Sequence, residues 1–359
     1  MPWRHFIVSR IKVLTVVGAR PQFIKAAAVS PRLRRVADEV LVHTGQHYDV
    51  TLSQVFFDEL GLPAPDVWLD VGSGSHGVQT GRMLALLDPV LEQERPDWVL
   101  VYGDTNSTLA GALAAAKMHI PVAHVEAGLR SYNRAMPEEI NRVLTDHVAD
   151  RLYCPAPFAA DNLAREGIRR GVRVTGDVMD DAVRQVALDP EVLRDFHLTR
   201  GGYYLATVHR QENTERRERL ADILDVFLRL DGPVVLPLHP RTRDRVARFG
   251  LEGRLAALSV LPPQGYRASL TLIDGARAVL TDSGGVQREA AALGVPCYVL
   301  REETEWIDLV QSGQAVLVGT EPARVVEAVR RQEARGRARE LRGSPADQVV
   351  ADLLASEEA

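Results

Sequence analysis

The chain has 359 residues, enough for two domains of ordinary size. Its composition, 46% hydrophobic and 25% charged, is that of a folded globular protein and excludes disordered and fibrous classes. With 43 Lys and Arg against 48 Asp and Glu, the net charge is -5; the overall basic field of a nucleic-acid binder is missing, so any bound anion must be held by particular residues.

The N-terminal stretch MPWRHFIVSRIKVLTVVG sets basic residues ahead of an apolar run, as a signal peptide does. Arg10 and Lys12 interrupt that run, and its core Val13–Val17 is too short for a signal sequence. No stretch approaches the ~18–20 apolar residues of a membrane span, so no membrane partner and a cytoplasmic location are expected. Strands are expected at Ile11–Val17, Val40–Val42, Trp98–Val101, Val122–Val125 and Leu152–Cys154, each apolar at successive positions as in a parallel sheet covered on both faces. Helices are expected between them, at Pro21–Val36, Val78–Glu94, Ser107–Met118 and Pro137–Ala149. This is a βα repeat. After the charged, Gly-containing segment Asp189–Gly202 a second series begins, with strands near Tyr204–Thr207, Val234–Leu238, Ala278–Thr281 and Cys297–Leu300. Two doubly wound α/β domains follow, joined around residues 175–200, with ligands expected beyond the carboxyl ends of the strands and in the cleft between the sheets. Cys154 and Cys297 both fall in buried-strand segments, which argues against a disulfide or a cysteine metal site. The Arg-rich segment Arg330–Arg342 reads as a solvated helix face.

Candidate chemistry collects where strands end. The first strand runs into Gly18-Ala19-Arg20-Pro21-Gln22-Phe23-Ile24-Lys25; Gly18 permits a tight turn and Pro21 suits the first helical position, so Arg20 and Lys25 sit beside a helix N-terminus as an anion site. The bland alternative is two surface charges. Neither GxGxxG nor GxxxxGK[ST] follows this strand, which disfavours NAD and ATP there. Asp104 and Glu126 end two further strands. Asp104 has an ordinary alternative as a helix N-cap, whereas Glu126, between Val125 and Ala127-Gly128, has no capping role. In Pro137–His147, Ile140, Val143, Leu144 and Val148 make a core stripe that leaves Glu138 and Arg142 four apart on another face, where a surface ion pair is the plain alternative. In the second half, His209 and Arg210 leave one strand, where such a pair can bind a phosphate or relay a proton, and His239 follows a later strand; a structural role is the plain alternative for each histidine. Thr281-Asp282-Ser283-Gly284-Gly285 then opens a helix with a Gly pair, so Ser283, Gly284 and Gly285 can turn donors toward an anion while Glu289 accepts from ribose hydroxyls.

The ordered segments GARPQFIK, TGQH, GDT, HVEAGLRS, PEEINR, HRQEN, HP and TDSGGVQREA resemble the non-hydrolysing UDP-N-acetylglucosamine 2-epimerase family along essentially the whole chain. The resemblance implies a GT-B-like pair of Rossmann-like domains facing across a cleft: residues 1–178, then a UDP-binding domain at 179–345. A C-terminal helix at about 346–359 would pack back on the first. It also implies a UDP-sugar substrate, a homodimer, and no metal or redox cofactor. By position, Arg20 and Lys25 match the family's cations near the diphosphate and sugar, and Asp104, Glu126 and Glu138 its acidic residues around the sugar. His209 matches the histidine close to the phosphates. Ser283, Gly284, Gly285 and Glu289 match the UDP-binding turn, and Gln264 a position approaching the uracil. Arg142, Gln46 and His239 lie in matching motifs, the last two where some members bind a second UDP-sugar; Asp49 stands there in place of a different polar residue. Two departures are plain: Ser269 where many members have an aromatic residue, and Trp306 in Thr304-Glu305-Trp306-Ile307 where many have arginine.

The implied reaction inverts C2 of the sugar, whose hydrogen no neighbouring carbonyl acidifies. UDP leaves C1 while C2 loses its proton, giving a 2-acetamidoglucal, and re-addition with protonation on the other face gives the epimer. Asp104, Glu126 and Glu138 are the candidate acid and base groups, with no assignment among them. Arg20, His209 and the Ser283 turn are the candidates for stabilising the diphosphate. A related UDP-2,3-diacetamido sugar epimerase, a hydrolysing epimerase, a GT-B glycosyltransferase and a non-catalytic UDP-sugar sensor are the competing readings.

Overall fold

The computed structural model describes residues 10–46, 57, 59–336 and 343–355. The chain ahead of Arg10, Asp49 with its neighbours, residues 337–342 of the Arg-rich segment, and the end of the chain from Ser356 lie outside the described residues. In the first unit, Met1–Ala182 with Gly343–Ala359, seven strands make one parallel sheet. They are β1 (Lys12–Val17), β2 (Asp38–His43), β3 (Val67–Trp68), β4 (Trp98–Tyr102), β5 (Val122–Val125), β6 (Arg151–Cys154) and β7 (Val172–Val174), in spatial order β3-β2-β1-β4-β5-β6-β7. Leu14 of β1 stands between Val40 of β2 and Val99 of β4. Every residue of β4 and β5 is buried, which is why these segments carry unbroken apolar runs.

The second unit, Val183–Arg342, repeats the plan with six parallel strands. These are β8 (Tyr204–Thr207), β9 (Val234–Pro237), β10 (Ser259–Leu261), β11 (Ala278–Thr281), β12 (Cys297–Val299) and β13 (Ala315–Leu317), ordered β10-β9-β8-β11-β12-β13. In each sheet the order of winding reverses once, between β1 and β4 and between β8 and β11. A crevice opens beyond the carboxyl ends at such a reversal, because the flanking helices depart to opposite faces.

Every central strand matches an expected segment; β3, β7, β10 and β13 do not, and all four are sheet edges. An edge strand is short and half covered, so it lacks the apolar run that marks a buried one: β7 is half-buried to exposed throughout. Cys154 and Cys297 are buried and free, in β6 and β12. Helix Arg20–Val36 starts one residue earlier than expected, placing Pro21 second. Over its described part, residues 330–336, the reading of Arg330–Arg342 as a helix face is corrected: the helix Pro322–Arg330 ends where that segment begins, and Arg331 is already in a turn. Helix Pro345–Ala355 lies in the first unit, burying Ala346, Val349 and Leu353 and joining helix Arg20–Val36 through Arg32–Asp347 at 2.7 Å.

The largest correction concerns helix Pro137–Val148. Its apolar residues Ile140 and Leu144 are 43% and 48% exposed, and the face turned inward is Glu139, Asn141, Arg142, Thr145 and Asp146. The burial is driven by hydrogen bonding, because this face ties down the loops that leave β4 and β5. Asn141 donates to the Asp104 carbonyl at 2.9 Å and to Asn106 at 3.2 Å. Asp146 receives the Gly128 N–H at 3.1 Å, Arg130 at 2.7 Å and His124 Nδ1 at 2.7 Å. Burial opposes this carboxylate's charge, yet the His124 and Arg130 contacts hold its pKa below the usual carboxyl range.

Candidate active site

The first unit assembles its candidates along the carboxyl edge of one sheet. Gln46 follows β2, Arg20 and Lys25 follow β1, Asp104 follows β4 and Glu126 follows β5. The turn after β1 is held by Gln22, a fully buried side chain whose Oε1 accepts from the Gly18 and Ala19 N–H groups at 2.9 and 3.1 Å. Its amide donates to the Tyr102 carbonyl and the Thr108 hydroxyl, both at 3.1 Å, so the loops after β1 and β4 are tied together. Gln46 Oε1 accepts from Ser107 N and Oγ at 3.0 and 2.7 Å, joining the end of β2 to the same helix start. That helix, Asn106–Lys117, is capped by Thr105, whose side chain accepts from the Thr108 N–H. Asp104 is therefore free of the capping role that was its ordinary alternative.

Lys25 and Glu126 meet as a buried ion pair, Nζ to Oε1 at 2.8 Å, with side chains 7% and 8% exposed. Glu126 has φ +75°, in the left-handed region that a non-glycine residue seldom occupies, as β5 turns out of the sheet. Its N–H and that of Ala127 both reach the Tyr153 carbonyl at 3.1 Å, which fixes the turn. The second oxygen, Oε2, is buried without a hydrogen-bond partner among the described residues. Burial pushes the Glu126 pKa up to about 7 against the pull of Lys25, and the negative charges of Asp177 and Asp104 add to the rise. Burial works against the charge of Lys25, but Glu126, Asp177 and Asp104 together hold its pKa above the usual lysine value. The result is a permanent cation beside an acid that exchanges its proton near neutrality.

Asp177, absent from the expected set, belongs to this cluster. It follows β7, is 2% exposed and accepts the Met179 N–H at 2.9 Å as the next helix begins. His124, inside β5, holds the adjoining loop: its Nε2 donates to the Gly103 carbonyl at 2.7 Å. Arg142 is buried and pairs with Asp104 and, at 3.1 Å, with Glu139, which corrects its expected place on a face away from the packed one. Glu139 is buried because it organises the preceding loop, accepting from Ser131 N, Ser131 Oγ and Tyr132 N at 2.9, 3.0 and 2.8 Å. Glu138 itself is half-buried at the helix start.

In the second unit the candidates again follow neighbouring strands: Gln264 after β10, His239 after β9, His209 after β8 and Ser283 after β11. Asp282 joins the last two. Fully buried, it accepts from His209 N at 3.1 Å, Arg210 N at 3.0 Å and Asn213 Nδ2 at 3.0 Å, and His209 Nδ1 lies 3.2 Å from it. The imidazole is 47% exposed, so it is oriented by Asp282 and open to a ligand. Ser283 is the N-cap of helix Gly284–Ala292, accepting from the Val286 N–H, and leaves Gly284 and Gly285 as the first turn. Glu289, one turn further, is 5% exposed. His239 caps helix Pro240–Arg248 with Nδ1 toward the Arg241 N–H at 3.2 Å, and Gln264 donates to the Pro262 carbonyl at 2.7 Å.

The model of the UDP-N-acetylglucosamine 2-epimerase family matches residues 32–348. The chain belongs to that family. Among similar proteins, the UDP-2,3-diacetamido-2,3-dideoxy-D-glucuronate 2-epimerase of Pseudomonas aeruginosa is 49% identical over 331 residues, 89% of this chain and 92% of that one. The UDP-N-acetylglucosamine 2-epimerase of Methanocaldococcus jannaschii is 42% identical over 334 residues, 89% of this chain and 91% of that one. A crystal structure of the Methanocaldococcus jannaschii UDP-GlcNAc 2-epimerase in complex with UDP-GlcNAc and UDP matches with a TM-score of 0.89 at 40% identity, covering 96% of this chain and all of that one. The two doubly wound sheets thus have the GT-B-like architecture of the 2-epimerase family. Within this family member the two departures have clear places: Ser269 is half-buried, and Trp306 is buried beside the Gly284 turn.

Proposed function

We propose that this chain reversibly epimerises C2 of UDP-N-acetylglucosamine to give UDP-N-acetylmannosamine, by elimination of UDP and re-addition. The single observation that supports the proton chemistry is the buried Lys25–Glu126 pair, with Glu126 near half-protonated at neutral pH and its second oxygen unpartnered. In the forward step the C1–O bond breaks and its electron pair leaves with UDP, while the C2 proton passes to a carboxylate and the C1–C2 double bond forms. In the return step the diphosphate oxygen adds to C1 and a proton reaches C2 from the opposite face. Asp104, Glu126 and Glu138 are the groups we assign to these transfers, with Lys25 positioning Glu126 and Arg142 positioning Asp104. Arg20, His209 and the Ser283-Gly284-Gly285 turn receive the departing diphosphate, and Glu289 the ribose. Gln46, His239 and Gln264 complete the ligand contacts.

Proton NMR of UDP-N-acetylglucosamine incubated with the chain alone in deuterated buffer tests this reading. Deuterium is expected at C2 together with the manno epimer, with no acceptor present. Unchanged substrate, or transfer only when an acceptor is added, rejects epimerisation. One observation favours a second substrate: the Pseudomonas aeruginosa relative shares more identity than the Methanocaldococcus jannaschii one. The same experiment with the UDP-2,3-diacetamido uronate separates the two by rate.

We further propose a homodimer working in the cytoplasm. Helices His76–Glu94, Asn106–Lys117 and Pro137–Val148 lie side by side, and the outer two expose Val78, Leu86, Ile140 and Leu144 at 41–50%. An apolar strip of this kind across adjacent helices is suited to a second copy. The two free, buried cysteines fit a reducing compartment. No helix among the described residues is long and apolar enough to cross a membrane.

A further inference from the structure

Trp306 stands in the loop after β12, against the first turn of helix Gly284–Ala292. It is 4% exposed, and its indole Nε1–H finds no hydrogen-bond acceptor among the described residues. A Cβ built on Gly284 would lie 3.3 Å from that nitrogen and 2.5 Å from Glu305 Oε1, so glycine is needed for the loop to press this close to the helix start. The indole is fixed from its other side. Arg288 lies over the ring, Cζ 4.6 Å from the centroid, and is itself buried and anchored to Asp308 at 3.1 Å. The charge of neighbouring Glu305 is met by Arg301 at 2.9 Å. A neutral donor is therefore held beside the positive end of a helix whose cap and paired glycines make the turn proposed above to receive the diphosphate. Burying an N–H without an acceptor is costly, and a donor held this firmly is matched to something that arrives.

We propose that the Trp306 indole N–H donates to a phosphate oxygen of the nucleoside diphosphate bound at the Ser283-Gly284-Gly285 turn. This rests on the nucleotide-sugar reading above. Trp306 thereby adds a contact to the diphosphate without adding charge, and Arg288 is the positioning residue that holds the ring in place.

The test is calorimetry of UDP and of uridine with the full chain and with Trp306→Phe, which keeps a ring for Arg288 and removes the N–H together with part of the indole, a packing loss that the uridine control reads. UDP is expected to bind about tenfold more weakly to the variant, the usual loss for a hydrogen bond to a charged group, with uridine affinity unchanged. Equal UDP affinity in both proteins overturns the proposal, and so does an equal loss for UDP and uridine. Failure of the parent to bind UDP overturns this proposal and the nucleotide-sugar reading together. If the variant does not fold, indole N–H resonances of the 15N-labelled parent decide: a shift with UDP and none with uridine supports the proposal, and no shift with either overturns it.

Discussion

Glu126 is the residue on which the proposed chemistry turns, and its environment makes it testable by pH. Its usual pKa of 4.5 is raised to about 7 by burial, so over that interval the folded chain holds a proton that the unfolded chain has released. Stability therefore falls as pH rises through the interval, by up to about 3 kcal/mol. Glu126→Gln should lack this slope, which urea midpoints at about pH 5 and about pH 8 would reveal. The same variant should lose C2 deuterium exchange by about 10²-fold or more while still binding UDP. Asp177 raises the Glu126 pKa through like charge, so Asp177→Asn should move the inflection of the exchange profile to lower pH. An unmoved inflection would show that Asp177 acts only as a helix cap. Sequence reading reached Lys25 and Glu126 because strand ends followed by helices mark where ligands bind. It missed Asp177, Asp282 and Gln22, because a buried side chain that organises a loop carries no signal beyond its own polarity. Asp282 and Gln22 are recognisable only once three donors or two loops are seen to converge on them, and Asp177 only once its charge is seen to act on Glu126.

At the level of elements, the signals that served the sheet failed on its rims and on one helix. Unbroken apolar runs identify β1, β4, β5, β8 and β11, since both faces of those strands are covered. The edge strands β3, β7, β10 and β13 are paired on one side only, and their residues are chosen as much for water as for the core. Helix Pro137–Val148 shows the opposite failure: its periodicity is read correctly, but its polar face is the one that packs. Hydrogen bonds from Asn141, Arg142 and Asp146 to the loops after β4 and β5 decide the orientation, and periodicity cannot distinguish that from a polar face in solvent. Leu144→Lys should accordingly cost under about 0.5 kcal/mol of stability, whereas sedimentation velocity should show the proposed dimer of the parent replaced by a monomer. Gly128→Ala should do the reverse. Gly128 has φ +80°, and a Cβ there would run into the Ala159 carbonyl, so a loss of about 2–4 kcal/mol is expected by urea unfolding.

For the whole molecule, two parallel sheets with one reversal each place most candidate residues just beyond the carboxyl ends of strands, and this much follows from the alternation of strands and helices in the sequence. The chain leaves the first unit near Ala182 and returns to it at Gly343. Removing residues 343–359 should therefore destabilise the first unit, whose helix Arg20–Val36 loses the cover of Val349 and Leu353, and leave the second unit's transition in place. Tryptophan fluorescence during urea unfolding should report two separated transitions, with Trp68 and Trp98 in the first and Trp306 in the second. The returning helix also bears on how the protein is made. Because a ribosome delivers residues in order, the second unit is complete before the segment that finishes the first has been synthesised. The N-terminal half must wait, with an apolar groove open to chaperones, until translation has passed Leu353.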